Sequence, residues 1–235
     1  MQEITFEQEK ERSLLGHAFV IGVDEAGRGP LAGPVVAAAV CYKDPSFRIP
    51  EGLGKEFALI RDSKKLSEKQ REKMFDFIHE HFHVGVGIVN AETIDRVNIL
   101  QATFLAMKSA VSQLMKKLPR EAEERGHLLI DGNQLLPSYS ASQEAIISGD
   151  NIVKSIAAAS IVAKVTRDRM MLEYDTLYPG YGFTAHKGYG TQVHMDALRH
   201  LGPCPMHRMS FKPVLLALPE NVNKRFANVL KPKKR

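Results

Sequence analysis

Hydrophobic positions along the chain alternate between short unbroken runs and longer stretches of helical repeat. Unbroken apolar runs are typical of buried strands, and they occur at residues 17–21, 34–42, 84–89, 128–130 and 145–147. Helical spacing of apolar residues, together with helix start and stop residues, predicts helices at 6–15, 67–82, 99–118, 152–178 and 191–200. Strands that lead into helices in this way predict an α/β domain.

Local residues sharpen the limits of these elements. Ser67 and Gln70 have the spacing of a capping box, which predicts a helix start. Pro119 is expected to end the helix at 99–118, and residues 43–56 and 120–126 are predicted loops. The helix at 152–178 carries alanine at positions 157–159 and 163, so it can approach a sheet closely. We expect Pro203, Pro205 and Pro213 to break the C-terminal part.

Composition favours a soluble intracellular protein. The 235 residues are 44% hydrophobic, enough for a sizeable core, and Cys41 and Cys204 are too few for a disulfide framework. The first twelve residues do not form a signal peptide, and the longest tempting uncharged stretch, 155–163, is too short to span a membrane. The net charge of +5 hides an asymmetry, because residues 223–235 carry six positive charges and no acid. This tail either attracts phosphate or is a solvated end.

Acidic residues follow three of the predicted strands. Asp24 and Glu25 lie at the expected end of the first strand, and Asp131 and Asp150 follow two later ones. Carboxylates gathered at one sheet edge repel one another unless a cation neutralises them, and Mg²⁺ prefers such oxygen ligands. The alternatives are an ordinary acidic strand end for the pair, a turn aspartate for Asp131 and a helix N-cap for Asp150.

Five motifs resemble, in order, those of the type 2 ribonuclease H (ribonuclease HII) family. They are V-D-E-A-G-R-G-P-L-A-G-P-V from Val23, D-S-K-K-L-S from Asp62, L-L-I-D-G-N from Leu128, the run 149–168, and H-K-G-Y-G-T from His186. The resemblance covers nearly the whole chain. It implies an α/β, ribonuclease H-like fold, with a mixed central sheet flanked by helices and a helical C-terminal extension.

The resemblance also implies a reaction and its residues. Two Mg²⁺ or Mn²⁺ ions would be bound by Asp24, Glu25, Asp131 and Asp150, which would also be catalytic. RNA paired to DNA would be hydrolysed to 5′-phosphate and 3′-hydroxyl ends, and a DNA duplex would be cut 5′ of an embedded ribonucleotide. The substrate would be contacted by Gly27, Arg28 and Gly29 at the 2′-hydroxyl, by Tyr189 at the junction, and by Lys64 and Lys65 at phosphates. Tyr181 is close in sequence and could be confused with Tyr189. Lys64 and Lys65 have a plainer alternative as a solvated pair at a helix entry.

Two other functions remain alternatives. A binding module of the same fold without catalysis would be favoured by a missing acid, and none is missing. Ribonuclease HIII or an integrase-like nuclease shares the superfold, but ribonuclease HIII usually carries a large N-terminal domain.

The remaining expectations concern organisation. We expect a catalytic domain at 1–190, a helical part at 191–222 and a basic tail at 223–235, in a cytoplasmic monomer that needs no membrane and whose protein partners are open. We expect Asp168 and Glu173 to be surface ion-pair partners. The histidines at 79, 81 and 83 suit a solvated helix end better than a zinc site, and His186, His194 and His207 have no assigned role.

Overall fold

A computed structural model describes residues 4–218 of the chain. The basic tail predicted at 223–235 lies outside these residues. Contacts divide the chain into two compact units that interleave in sequence. Of the described residues, the first unit comprises those up to Ala26, Val36–Ile88 and Thr103–Thr166, and the second comprises Gly27–Val35, Val89–Ala102 and those from Arg167 to 218. The predicted domain boundaries at 190 and 222 stay predictions.

A five-stranded mixed sheet is the centre of the fold, with strand order β3-β2-β1-β4-β5. Its strands are β1 Phe19–Ala26, β2 Val35–Tyr42, β3 Phe82–Val89, β4 Gly126–Asp131 and β5 Ser142–Ile146. Strand β1 pairs antiparallel with β2 and parallel with β4, which in turn pairs parallel with β5. The α/β fold class is therefore confirmed.

Ten α-helices are described within residues 4–218. They are α1 Glu7–Leu14, α2 Gly54–Ala58, α3 Glu68–His81, α4 Ala91–Val97, α5 Ile99–Met115, α6 Ala122–Arg125, α7 Lys154–Leu177, α8 Phe183–His186, α9 Gln192–Leu201 and α10 Lys212–Leu216. The predicted capping box is present, because Ser67 and Gln70 bond each other's backbone N–H groups at the start of α3. None of the helices described in this range is long and apolar enough to cross a bilayer.

Three details of the predicted elements were wrong. The first strand does not end at the acidic pair but continues one residue further, to Ala26, because its pairing with β2 runs as far as Ala26 opposite Val36. Helices α2, α4, α6 and α8 were not predicted, since each is short and has few apolar repeats, and α2 and α6 overlap the loops predicted at 43–56 and 120–126. Pro213 does not break the C-terminal part at its position, because it lies in the first turn of α10, where a missing N–H costs little.

The main hydrophobic core lies in the first unit and rests on a close approach between β1 and α7. The alanines at 157–159 and 163 are fully buried there. A Cβ atom added at Gly22 would lie only 2.2 Å from the backbone carbon of Ser155. Small residues on both elements therefore let the helix backbone lie almost directly on the strand, as the alanine-rich pattern predicted.

Candidate active site and recognition turn

In the first unit, the parallel strands of the sheet determine the positions of three of the predicted metal-binding acids. Val23 of β1 is paired with Ile130 of β4, so Asp24 and Asp131 are the next residues on two neighbouring parallel strands. Asp150 lies beyond β5, in a single 3₁₀ turn, Gly149–Asn151. Because the carboxyl ends of parallel strands share one sheet edge, these side chains are brought to the same edge.

The carboxylates interact with one another. Burial raises the pKa of Asp24 well above its ordinary value, and the neighbouring charges of Glu25 and Asp131 raise it further. The pKa of Asp150 is raised for the same reasons, first by burial and then by the charges of Asp131 and Asp62. The four predicted acids are thus linked through Asp24 and Asp131 into one electrostatic group with excess negative charge.

Hydrogen bonds orient these acids. One carboxylate oxygen of Asp131 accepts from the N–H of Gly149 at 2.7 Å, and one of Asp150 accepts from the side-chain amide of Asn151 at 2.7 Å. Asp24 accepts from the N–H of Glu25 at 2.7 Å. Asp131 is therefore not held as a turn aspartate, and Asp150 is not the N-cap of α7.

The donor set suits a hard divalent cation, because it consists of carboxylate oxygens with excess negative charge. Within residues 4–218, however, no three His, Cys, Asp or Glu side chains already stand in the arrangement of a metal site. The charge of Asp131 raises the pKa of both Asp24 and Asp150, but within these residues the acids do not form a closed coordination shell.

The two predicted phosphate contacts lie beside this group. The ammonium nitrogen of Lys64 is 3.7 Å from a carboxylate oxygen of Asp150, while its side chain is 80% exposed. Lys65 donates a hydrogen bond to the side-chain oxygen of Asn151. Both lysines follow Asp62, whose side chain caps their 3₁₀ turn by accepting from the N–H of Lys64. Each is therefore tied to the acidic edge and still reaches solvent.

In the second unit, two buried arginines hold the turn Gly27–Arg28–Gly29 on its buried side. The sequence analysis did not identify either of them. Arg208 is fully buried and donates to the carbonyls of Gly27 at 2.5 Å, Arg28 at 2.9 Å, Gly33 at 3.0 Å and Pro34 at 3.2 Å. Burial lowers its pKa to about 9, which still leaves the guanidinium charged at neutral pH. The carbonyls of the turn therefore point inward, while Arg28 and Gly29 remain exposed.

Arg167 joins the same turn to the segment that carries Tyr189. It donates to the carbonyls of Ala32 and Pro34 at 3.0 Å each, and to that of Lys187 at 2.9 Å. Gly27 has a φ of +95°, and a Cβ there would lie 2.1 Å from Nε of Arg167. Glycine is required at this position both by the backbone conformation and by the arginine packed against it.

Two tyrosines that could be confused from the sequence are clearly different. Tyr181 is buried, and its hydroxyl donates to the carbonyl of Gly202 at 2.7 Å. Tyr189 is 47% exposed, and its ring lies 3.6 Å from the position that a Cβ of Gly29 would occupy. The exposed ring beside the turn is therefore that of Tyr189.

The expected surface position of Asp168 is contradicted, and the expected ion pair of Glu173 stays a prediction. Asp168 was predicted to be a surface residue, which is wrong, because it is buried beside Arg167, whereas Glu173 is exposed.

Asp95 of the unpredicted helix α4 also helps to hold the second unit together, since its carboxylate accepts from the N–H groups of Met209 and Ser210 at 2.8 Å each. It anchors the residues that follow Arg208.

Arg208→Lys should lower the free energy of unfolding by about 2 kcal/mol, because one ammonium cannot reach four carbonyls and leaves buried acceptors unpaired. The measurement is chemical denaturation. Arg199→Lys is the matched control, since Arg199 is exposed and its ion pair among residues 4–218 is with Asp196, across one turn of α9. That variant should stay within about 0.5 kcal/mol of the parent. Equal stability of both variants would contradict the anchoring role of Arg208.

Comparison with known proteins shows the family to which this chain belongs. The family model described as Ribonuclease HII matches residues 21–214. A Ribonuclease HII of Geotalea uraniireducens is 52% identical over 200 residues, which are 85% of each chain. That of Geobacter metallireducens is 51% identical over 89% of this chain and 90% of its own.

Solved structures share the fold. Ribonuclease HII of Archaeoglobus fulgidus, in a complex with PCNA, superposes with a TM-score of 0.64 at 24% identity, over 83% of this chain and 95% of its own. The Mn²⁺ complex of Bst-RNase HIII gives a TM-score of 0.64 at 20% identity, over 91% of this chain and 73% of its own. With the family model and the curated relatives agreeing over most of the chain, this protein belongs to the ribonuclease HII family of endoribonucleases.

Proposed function

We propose that this enzyme hydrolyses the RNA strand of RNA–DNA hybrids and also cuts a DNA duplex 5′ of a single embedded ribonucleotide. The products carry 5′-phosphate and 3′-hydroxyl ends. The observation that carries this proposal is the electrostatic group of Asp24, Glu25, Asp131 and Asp150 at the carboxyl ends of parallel strands.

The four acids are proposed to hold two divalent cations, Mg²⁺ or Mn²⁺. The raised pKa values of Asp24 and Asp150 support this, because they reflect a concentration of negative charge that a cation would relieve. When bound, such ions stabilise charge on the attacking and leaving oxygens of a phosphodiester. Lys64 and Lys65, exposed beside the acids, are proposed to position the nucleic-acid backbone through its phosphates.

Recognition of the ribonucleotide is proposed to rest on the turn Gly27–Arg28–Gly29 and on Tyr189. The carbonyls of Gly27 and Arg28 are occupied by Arg208, so the exposed side of the turn is available to a ribose. The 2′-hydroxyl distinguishes RNA from DNA, and small residues let main-chain groups approach it. The ring of Tyr189 beside Gly29 would pack on the following deoxyribose, where a 2′-hydroxyl would crowd it.

The deciding experiment compares three duplexes of one sequence: all DNA, DNA with one ribonucleotide, and an RNA–DNA hybrid. Each is incubated with Mg²⁺, with Mn²⁺ and with a chelator. We expect both ribonucleotide-containing substrates to be cut only with metal, and end analysis to find a 3′-hydroxyl upstream and the ribonucleotide on the 5′ end of the downstream fragment. Cleavage of the hybrid with an intact single-ribonucleotide duplex would contradict junction recognition.

Tyr189→Ala should reduce cleavage of the single-ribonucleotide duplex about tenfold more than cleavage of the hybrid. Only the former depends on packing at one junction, and a lost contact of this kind costs about 1–3 kcal/mol. The measurement is kcat/KM on both substrates. Tyr178, the residue that follows α7, provides a tyrosine control. Tyr178→Ala should leave the ratio of the two kcat/KM values unchanged. An unchanged ratio in Tyr189→Ala would remove this tyrosine from the recognition of the junction.

The cellular role follows from this specificity. We propose that the enzyme acts in ribonucleotide excision repair and RNA primer removal, as a monomer in the cytoplasm. Both described cysteines are free, which is compatible with a reducing compartment. The nucleic-acid duplex is the proposed partner, and a protein partner stays open.

A further inference from the structure

The turn at residues 187–190, which carries Tyr189, lies against three buried histidines. The proposed reaction assigns no role to any of them. His194 is fully buried, His207 is 2% exposed and His186 is 9% exposed. All three belong to the second unit and surround Phe183. Buried imidazoles need hydrogen-bond partners, so their contacts define which nitrogen carries each proton.

The contacts of two of these histidines assign an order of protons. The backbone N–H of Cys204 donates to Nδ1 of His207 at 3.0 Å, closer than the Cys204 carbonyl at 3.3 Å, so we assign the proton of His207 to Nε2. That Nε2 lies 3.0 Å from Nε2 of His194, which must therefore accept and carry its own proton on Nδ1. Nδ1 of His194 in turn donates to the carbonyl of Tyr189 at 2.9 Å. A directed chain of hydrogen bonds thus runs from Cys204 to the backbone of Tyr189.

The third histidine holds the other side of the same turn. Nδ1 of His186 accepts from the N–H of Gly188 at 3.2 Å, and its Nε2 therefore donates to the carbonyl of Tyr181 at 2.8 Å. Its ring stacks on that of His194, with centroids 4.5 Å apart and planes 13° apart. Gly188 and Tyr189, two consecutive residues of the turn, are therefore both bonded to stacked histidines.

The chain works only while the imidazoles are neutral. Burial lowers the pKa of His194, and burial together with the neighbouring imidazole of His194 lowers the pKa of His207 to about 4. The other titratable groups that face them are His186, Tyr181 and Cys204, and burial raises the pKa of the latter two. A second proton on His194 would set its Nε2–H against the Nε2–H of His207. With their pKa values lowered, His194 and His207 are uncharged at neutral pH.

We infer that His194 is a positioning residue for ribonucleotide recognition, which fixes the backbone at Tyr189 and so sets its ring beside Gly29. This inference rests on the proposed role of Tyr189 at the junction. Loss of the bond to Tyr189 should weaken the preference for a single ribonucleotide and spare the chemistry on a long hybrid.

Two conservative variants of one residue separate positioning from general stability. His194→Asn places an amide near the original Nδ1, so it keeps a donor for Tyr189 and loses the contact with His207. His194→Gln places its amide near the original Nε2, so it keeps the contact with His207 and loses the donor for Tyr189. The readout is the ratio of kcat/KM on the single-ribonucleotide duplex to kcat/KM on the hybrid. We expect a fall of about fivefold to tenfold in His194→Gln, and a change of less than about twofold in His194→Asn.

A double-mutant cycle with Tyr189→Ala completes the test. If His194 acts through Tyr189, the double variant His194→Gln/Tyr189→Ala should show the same ratio as Tyr189→Ala alone. An unchanged ratio in His194→Gln, an equal fall in both His194 variants, or additive effects in the double variant would overturn the inference. If Tyr189→Ala itself leaves the ratio unchanged, the proposed role of Tyr189 fails, and the inference fails with it.

Discussion

Replacing Asp24 with asparagine should lower cleavage by about a hundredfold or more while leaving the protein at least as stable as the parent. The loss follows because the proposed two-cation site would supply several kcal/mol of charge stabilisation, and asparagine is a neutral ligand. The gain in stability follows because burial and the charges of Glu25 and Asp131 oppose the ionised form of Asp24. Removing that charge relieves the repulsion in metal-free buffer.

Activity, binding and thermal unfolding check this prediction together. Turnover is measured with Mg²⁺, hybrid binding by a filter or fluorescence assay, and Tm with a chelator and with Mn²⁺. We expect Mn²⁺ to raise the Tm of the parent. We expect Asp24→Asn to bind hybrid, to have an equal or higher Tm in chelator, and to show no such increase with Mn²⁺. Asp196→Asn is the control, since Asp196 is a half-exposed ion-pair partner on α9. Parent-like turnover in Asp24→Asn would remove this residue from the catalytic group.

Gly22→Ala should destabilise the fold by about 3 kcal/mol or more. The added methyl would lie 2.2 Å from the backbone carbon of Ser155 and 2.3 Å from the backbone nitrogen of Ile156, neither of which can rotate away. Relief requires α7 to move off the sheet, which opens the packing of the main core.

Chemical denaturation of Gly22→Ala and Gly54→Ala provides a matched comparison. A Cβ at Gly54 meets nothing within 4 Å, and the residue lies at the start of α2 without a positive φ. Alanine there should be neutral or slightly stabilising, since it reduces the entropy of the unfolded chain. Similar stability of the two variants would show that α7 does not approach β1 as closely as described.

Those features of the site that depend on local pattern could be predicted from the sequence. Asp24 and Asp131 were placed together because each follows an apolar run and parallel strands end at a common edge. The same pattern singled out Glu25 and Asp150, whereas Tyr189 came from the motif resemblance. The continuation of β1 through Asp24 and Glu25 was missed, because the polar pair interrupts the apolar run while pairing with β2 continues.

Long-range backbone contacts could not be predicted in this way. Arg167 and Arg208 reach carbonyls more than 130 residues earlier in the chain, and main-chain acceptors have no sequence pattern. Asp95 lies in a seven-residue helix that has little apolar repeat, although Asn90 at its N-cap was an available signal. The histidine chain likewise depends on contacts between α9 and the segment after Pro203, which helical periodicity does not specify.

The close packing of helices on the sheet also restricts how this sequence can diverge. A Cβ at Gly85 or Gly87 of β3 would lie 2.1 Å or 2.0 Å from a backbone oxygen of α5, just as one at Gly22 would meet α7. Relatives such as that of Geotalea uraniireducens differ from this chain at almost half of the aligned positions. Substitutions should accumulate at open positions such as Gly54, whereas these three should remain glycine over far longer evolutionary distances, because every other residue adds an atom where none fits.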